Sequence, residues 1–359
     1  MDAGGHKAGR LDYIDALRGI AALMVVYQHA AQLPHNAGSA LFDPSLFAIN
    51  FGRFGVELFF LISGFVIPFS FKGAEPIRAF WWSRLFRLFP AYWLSIPLMI
   101  WLIHVRDYTV NPVTVLANLT MVQNLLGHDN LGFGYWTLNF EMGFYLLCTA
   151  LFAARVLHSL RVVALVIAAG LGGAVGSHVL HDFYGIGTAY DFPFFVATFF
   201  LGLMLRRAFL DSDPAAIAWC RWLVPATVLA GAVLGGLFWP VELNRNIYFR
   251  PVVLALSQAL PPLAFVAVLW WKPAVPRTLV WLGAVSYSLY LFQDLWLIML
   301  PFVLSPGAHP LAFVAICCAL CVATAAVVYY AVERPMIALG RRLAERQGLA
   351  PARAAAPAG

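Results

Sequence analysis

Two side chains on one stretch are spaced for chemistry. In LDYIDALRGIAALMVVYQHAAQL, residues 11–33, Arg18 and His29 lie eleven residues apart. At about 100° and 1.5 Å per residue they share one face of one helix, about 16 Å apart along its axis. A guanidinium is a permanent cation that pairs with carboxylate or phosphate, and an imidazole takes or gives a proton near neutral pH. The residues between them, GIAALMVVYQ, carry no charge and suit a hydrocarbon interior of about 30 Å. With Arg18 at one membrane surface, His29 lies past the midplane, where a titratable group is costly to hold and usually functional.

Further candidates follow along the chain. Glu57, in FGRFGVELFFLISGFVIPFSF, falls near the outer end of the next apolar helix, at a depth similar to His29. Two readings are open: its carboxylate holds the imidazole in one tautomer and raises its basicity, or it faces interfacial water. Ser63 and Gly64 in the same helix are small enough to admit a neighbouring helix or a threaded ligand. In RAFWWSRLFRLFPAYW, Arg84 and Arg87 are three apart, with Arg78 before them and Pro90 bending or starting the helix. Paired guanidinium groups among aromatics seat phosphates, and they are equally what an inner helix end displays as an anchor. In GYWTLNFEMGFYLLC, Glu141 and Tyr145 are four apart and face one way, toward the outer half expected for His29 and Glu57. Asp294, beside Gln293 in WLGAVSYSLYLFQDLWLIML, is the most deeply placed acid and argues for a polar interior. Glu333, Arg334 and Pro335 close the last span, readable as an ion pair and a helix-terminating proline.

The elements that must position these groups are membrane helices. With 62% hydrophobic residues, 11% charged and a mean hydropathy of +0.79, the chain carries about half the charge of a soluble domain. Apolar windows long enough to span a bilayer fall near 15–33, 54–71, 88–104, 136–156, 162–180, 190–205, 220–238, 251–271, 281–303 and 311–332. The fold class expected is an all-α polytopic membrane protein of about ten transmembrane helices. The stretch 113–126 is too polar and too brief to count and reads as a surface or re-entrant piece. Placing the N-terminus inside puts 19 of the 23 basic residues on inner segments and leaves Arg53, Arg106, Arg245 and Arg250 outside. That bias places both termini in the cytoplasm and explains the net charge of +6 without nucleic acid as a partner. The first span reads as an uncleaved anchor, since cleavage near it would discard His29. Cys148, Cys220, Cys317, Cys318 and Cys321 fall in or beside spans with no partnering His or acid, so neither disulfide nor metal is expected. His104, His128, His178 and His181 read as loop or interface histidines. Between Arg155 and Lys272 the spans are rich in Ala, Gly, Leu and Val, with GLGGAVG at 170–176 suited to close packing. Residues 336–359, basic and then rich in Ala and Pro, read as a disordered cytoplasmic tail.

Taken together, the Arg18 to His29 helix, GVELFFLISGF, RLFRLFP, WTLNFEMGFY, SYSLYL and the closing ERP resemble acyltransferase family 3, integral membrane proteins that acylate extracytoplasmic sugars. The likeness is dense in the first half and the last two spans and runs to hydropathy alone in the middle. It implies a transmembrane acyltransferase domain over residues 1–335 with a ten-helix core. By resemblance, His29 matches the catalytic histidine and Arg18 its partner on the same helix. Arg84 and Arg87 match the arginine pair that binds acyl-coenzyme A, Glu57 the acid after the Gly-Val pair, and Glu141 with Tyr145 the acid and tyrosine of the fourth span. One departure is that Gln293 stands where many relatives carry a histidine after SYSLYL.

The activity so implied is O-acylation at the cell inner membrane by a multi-pass enzyme. An acyl group, acetyl by expectation, passes from cytoplasmic acyl-CoA, a co-substrate and not a resident cofactor, to a hydroxyl of an extracytoplasmic glycan or glycolipid. His29 acts as general base, with Glu57 or Glu141 holding its ring; Ser63 and Tyr145 support. Transfer through an acyl-histidine is a variant. Exopolysaccharide, lipopolysaccharide, a lipid-linked oligosaccharide and a small secreted glycoside are all acceptors that fit. A reading of another class is a proton-coupled transporter or flippase of a glycan or lipid, with the buried acids and His29 as proton path.

Overall fold

The structure is a computed structural model that describes residues 11–42, 47–186, 192–237 and 251–349. Among these residues every regular element is helical: α1 Asp12–Asn36, α2 Phe51–Val66, α3 Pro76–Val105, α4 Pro112–Asn118, α5 Tyr135–Ala153, α6 Leu160–Tyr184, α7 Phe192–Phe209, α8 Pro214–Leu237, α9 Pro251–Trp271, α10 Arg277–Met299, α11 Pro310–Val328 and α12 Arg334–Arg346. Each of the ten apolar windows coincides with one long helix, and 113–126 holds only the two-turn α4. Lys7, Arg10, Arg245, Arg250 and Arg353, counted among the basic residues of the topology reading, lie outside the described residues.

Eight helical runs among the described residues are long and apolar enough to cross a membrane, and the chain is an all-α polytopic membrane protein. The long helices missing from that set are α1 and α5, of 25 and 19 residues. Their hydropathy is lowered by the residues that could do chemistry: Arg18, Gln28, His29 and Gln32 in α1, and Asn139 and Glu141 in α5. Such helices must be sheltered by others, and α1 is, packing against α2, α10 and α11.

Local chemistry sets the ends. Asp12 and Asp15 occupy the first turn of α1, where carboxylates complement the helix dipole. Asn50 caps α2 by accepting from Arg53 N–H at 2.9 Å, and its own N–H donates to Ser257 Oγ on α9 at 2.7 Å, tying two helices at the cap. Close approach sets the packing. A Cβ on Gly283 of α10 would lie 1.9 Å from Asp15 O of α1, and one on Gly64 of α2 would lie 1.7 Å from Phe199 O of α7. Of the two uses open to Gly64, the structure shows helix contact.

Two expectations about the chain end are corrected. Pro335 does not terminate the last helix: it sits in the first turn of α12, directly after a π turn in which the i→i−4 ladder that its missing N–H would join is already interrupted. The chain passes from α11 through a π turn, Tyr329–Glu333, straight into α12. Residues 336–349, expected within a disordered tail, fold back on α3: Trp82 Nε1 donates to Gly340 O at 3.0 Å and Arg78 Nη2 to Gln347 Oε1 at 3.2 Å. Basic composition suggested disorder, but the helix is amphipathic and buries Gly340 against Phe86.

Candidate active site

The site divides into two compartments strung along α1. The first is a cavity of about 140 Å³ between α1, α2, α3, α5 and α10, whose walls include Arg18, Arg84, Arg87, Glu141, Tyr145 and Ser63. Arg84 and Arg87 do not mark the start of α3, as expected; the helix begins at Pro76 and passes through Pro90, so they stand about two and three turns inside it. Arg84 is buried, with its guanidinium over the rings of Phe80 at 5.4 Å and Tyr145 at 5.8 Å. Its Nε is buried without a hydrogen-bond partner, a donor that an anionic ligand would satisfy. Arg18 directs Nε and Nη2 to Gly283 O at 3.1 and 2.9 Å, and Nη2 also to Asp15 Oδ1 at 3.2 Å. The residue is thereby held as a cation on the cavity wall and as a cross-tie between α1 and α10.

Acids complete this compartment. Glu141 was expected at the depth of His29, and the structure places it among the arginines instead. There its Oε1 accepts from Tyr145 OH at 2.5 Å and from Ser63 Oγ at 3.2 Å. The Tyr145 bond is the four-residue pairing that the spacing anticipated. Glu333, read as a surface partner of Arg334, is 2% exposed and accepts from Ser288 Oγ at 2.9 Å, while Arg334 lies over the Tyr330 ring. Its carboxylate is within electrostatic reach of Arg87 and Arg18.

The second compartment surrounds His29. Its Nδ1 is 3.0 Å from Gln293 Oε1. The amide orientation is settled by a second bond, Gln293 Nε2 donating to Tyr290 O at 2.9 Å. A carbonyl cannot donate, so Oε1 must receive the proton of His29 Nδ1, which leaves Nε2 as the basic nitrogen. Neither acid expected to hold the ring does so. Glu57, 1% exposed, pairs with Arg53 one turn earlier at 3.8 Å, and Glu141 is engaged as described. The ring holder is Gln293, the position where the sequence departs from the family pattern. Asp294 Oδ2 accepts from Phe133 N–H at 2.9 Å, pinning the loop before α5.

The compartments adjoin. Val56 and Tyr290 line both the arginine cavity and a pocket of about 220 Å³ that His29 shares with Gln28, Gln32, Asn50, Arg53 and Trp136. Tyr290 is fixed by a bond from Thr137 Oγ1 at 2.8 Å and an edge contact with Phe59. Sequence reasoning missed Ser286, Tyr287 and Tyr290 as cavity residues and Glu333 as a buried acid. The signal was there: 283, 286, 287, 290, 293, 294 and 297 form one helical stripe of α10, on which Gly283 O holds Arg18, Ser286, Tyr287 and Tyr290 line the cavity and Gln293 holds His29.

Comparison with known proteins now decides the family. A family model described as an acyltransferase domain, Acyl_transf_3, matches residues 11–332. The chain belongs to this acyltransferase family. Nodulation protein 10 of Rhizobium leguminosarum bv. viciae is 35% identical over 94 residues, covering 26% of this chain and 25% of that one. Acyltransferase MdmB of Streptomyces mycarofaciens is 27% identical over 146 residues, 38% of each chain. The alignments thus span well under half the length of these relatives. No solved structure matches. The family match runs through α1 to α11 and so includes both compartments.

Proposed function

We propose that this acyltransferase-family protein moves an acyl group, acetyl by expectation, from cytoplasmic acyl-CoA to a hydroxyl of an extracytoplasmic carbohydrate, in the inner membrane. The observation that carries the reading is the contact between compartments: three guanidinium groups on one side of Val56 and Tyr290, an oriented imidazole on the other. The distribution of basic residues supports ten crossings with both termini in the cytoplasm, which puts the arginine cavity toward the cytoplasm and His29 toward the far side.

In this reading the phosphates of the donor sit on Arg84 and Arg87, with the unpaired Arg84 Nε among the donors, and Arg18 adds a third cation. The flexible arm of the donor runs past Ser63, Tyr287 and Tyr290, so that the thioester reaches the edge of the His29 pocket. An acceptor hydroxyl there gives its proton to His29 Nε2 as its oxygen attacks the thioester carbon. The carbon–sulfur bond breaks, the thiolate leaves, and it takes a proton in turn, so CoA departs as the thiol. Gln293 keeps the ring in the tautomer that makes Nε2 the base, and its carbonyl dipole stabilises the imidazolium that forms. Holding the base in place with a neutral amide, not a carboxylate, limits how far the imidazolium is stabilised.

The test is stoichiometry. Purified protein in lipid nanodiscs, given labelled acetyl-CoA and glycan extract, should release thiol only when acceptor is present and should place one label in glycan per thiol. Thiol release that ignores acceptor, or no release with any glycan fraction, would overturn the reading.

A further inference from the structure

His29 and Gln32 line not one outer compartment but two, and the two differ in chemistry. The pocket shared with Gln28, Asn50, Arg53 and Trp136 is the more polar of the two. Gln28 uses its carbonyl on Phe51 N–H at 3.0 Å, which leaves its amide N–H groups as donors, and Trp136 supplies an aromatic wall. Hydroxyl donors and acceptors beside a flat ring suit a sugar, which has polar edges and an apolar C–H face. His29 also lines a larger groove, of about 500 Å³, walled by Leu33, Leu297, Ile298, Pro301 and Phe302. Besides the two shared residues its polar side chains are Asn36 and Arg106, and the rest of its wall offers no partner for hydroxyls. A second sugar there would leave its polar groups unpaired, whereas hydrocarbon gains by burial.

We infer that the acceptor is an amphipathic glycoside, with its sugar beside Trp136, its apolar group in the groove of Leu33, Leu297 and Ile298, and the reacting hydroxyl at His29 between them. The inference rests on the transfer reading above and narrows it to one class of acceptor. The groove belongs to the acceptor and not to the donor because the arginine cavity meets the polar pocket, through Val56 and Tyr290, and neither of these residues lines the groove. Continuity through His29 ties the groove to the reaction, and this separates it from an ordinary lipid-facing crevice.

Methyl β-glucoside and octyl β-glucoside differ only in the apolar arm and serve as probes. Their binding is measured on protein in lipid nanodiscs against empty nanodiscs, with acetyl-CoA titrated in parallel. The octyl compound should bind at least about 30-fold tighter, part of what seven added carbons give on burial. Leu297→Asn with Ile298→Asn, and separately Leu33→Asn, should cut that advantage below about threefold while acetyl-CoA binding is unchanged. Trp136→Ala should weaken both glucosides alike. Equal binding of the two probes by the wild type overturns the proposal, as does an octyl advantage that all three groove substitutions leave intact. An octyl advantage in a protein that binds no acetyl-CoA would overturn the transfer reading instead.

Discussion

The helices α6, α7 and α8 and the helices α1, α3, α5 and α10 solve the same problem, polar groups inside a membrane protein, in opposite ways. In the first group the buried hydroxyls look after themselves: Thr198 Oγ1 donates to Phe194 O at 3.0 Å and Thr227 Oγ1 to Leu223 O at 2.8 Å, each four residues back on its own helix. The space between helices goes to backbone contact, with Gly170 of α6 lying against Pro193 O of α7. In the second group the bonds cross from element to element. Arg18 reaches Gly283, Tyr287 OH reaches Leu88 O at 3.0 Å, Ser288 reaches Glu333 and His29 reaches Gln293. Self-satisfied side chains make a helix that packs as an apolar rod; cross-bonded ones fix the relative depth and rotation of several helices. A reaction that needs a cation cluster and a base at set separation needs the second kind of construction.

Substitutions sharpen the contrast, because each region should fail in its own way. The largest effect belongs to the packed side. A Cβ at Gly202 of α7 would stand 2.1 Å from Leu61 O, so Gly202→Val should cost more than the ~3 kcal/mol upper range of ordinary overpacking and abolish the monodisperse peak in size-exclusion chromatography. On the polar side, Arg84→Gln with Arg87→Gln should leave a folded protein whose acetyl-CoA affinity is down about 100-fold by titration, as expected for two lost charge-assisted contacts. Next is Gln293→Leu, which frees the tautomer of His29: kcat should fall about 10-fold with the donor KM unchanged, and Gln293→Glu, which keeps an acceptor oxygen there, should recover most of it. The smallest effect is expected for Thr198→Val, within about 1 kcal/mol in thermal unfolding and without change in transfer rate, since a bond within one turn of helix is what is lost. A large loss of transfer from Thr198→Val would erase the distinction between the regions.

Much of the molecule was legible in the amino-acid sequence. Length and apolarity anticipated the long helices, eight runs of which among the described residues are apolar enough to cross a membrane, and the eleven-residue step from Arg18 to His29 placed both on α1. The four-residue step from Glu141 to Tyr145 gave their hydrogen bond. What spacing within one helix could not give was the partner across a gap. Glu57 and His29 fall at similar depth by counting residues, yet depth leaves rotation free, and Glu57 turns to Arg53 while Gln293 meets the imidazole. Glycine at 170–176 suggested contact along the whole run; Gly170 lies against Pro193 O, whereas Gly172 and Gly176 face open space. The helical fold of 336–346 was lost to composition, because many arginines with alanine resemble a tail until their periodicity is counted.

The division of labour between the arginine cavity and the imidazole is tested most directly by measuring acetyl-CoA affinity and acetyl transfer side by side in His29→Ala. Donor affinity should stay within about twofold of the wild type while transfer falls by at least about 100-fold, the lower range for loss of a positioned base. Transfer at the wild-type rate, or loss of donor binding together with transfer, would contradict it.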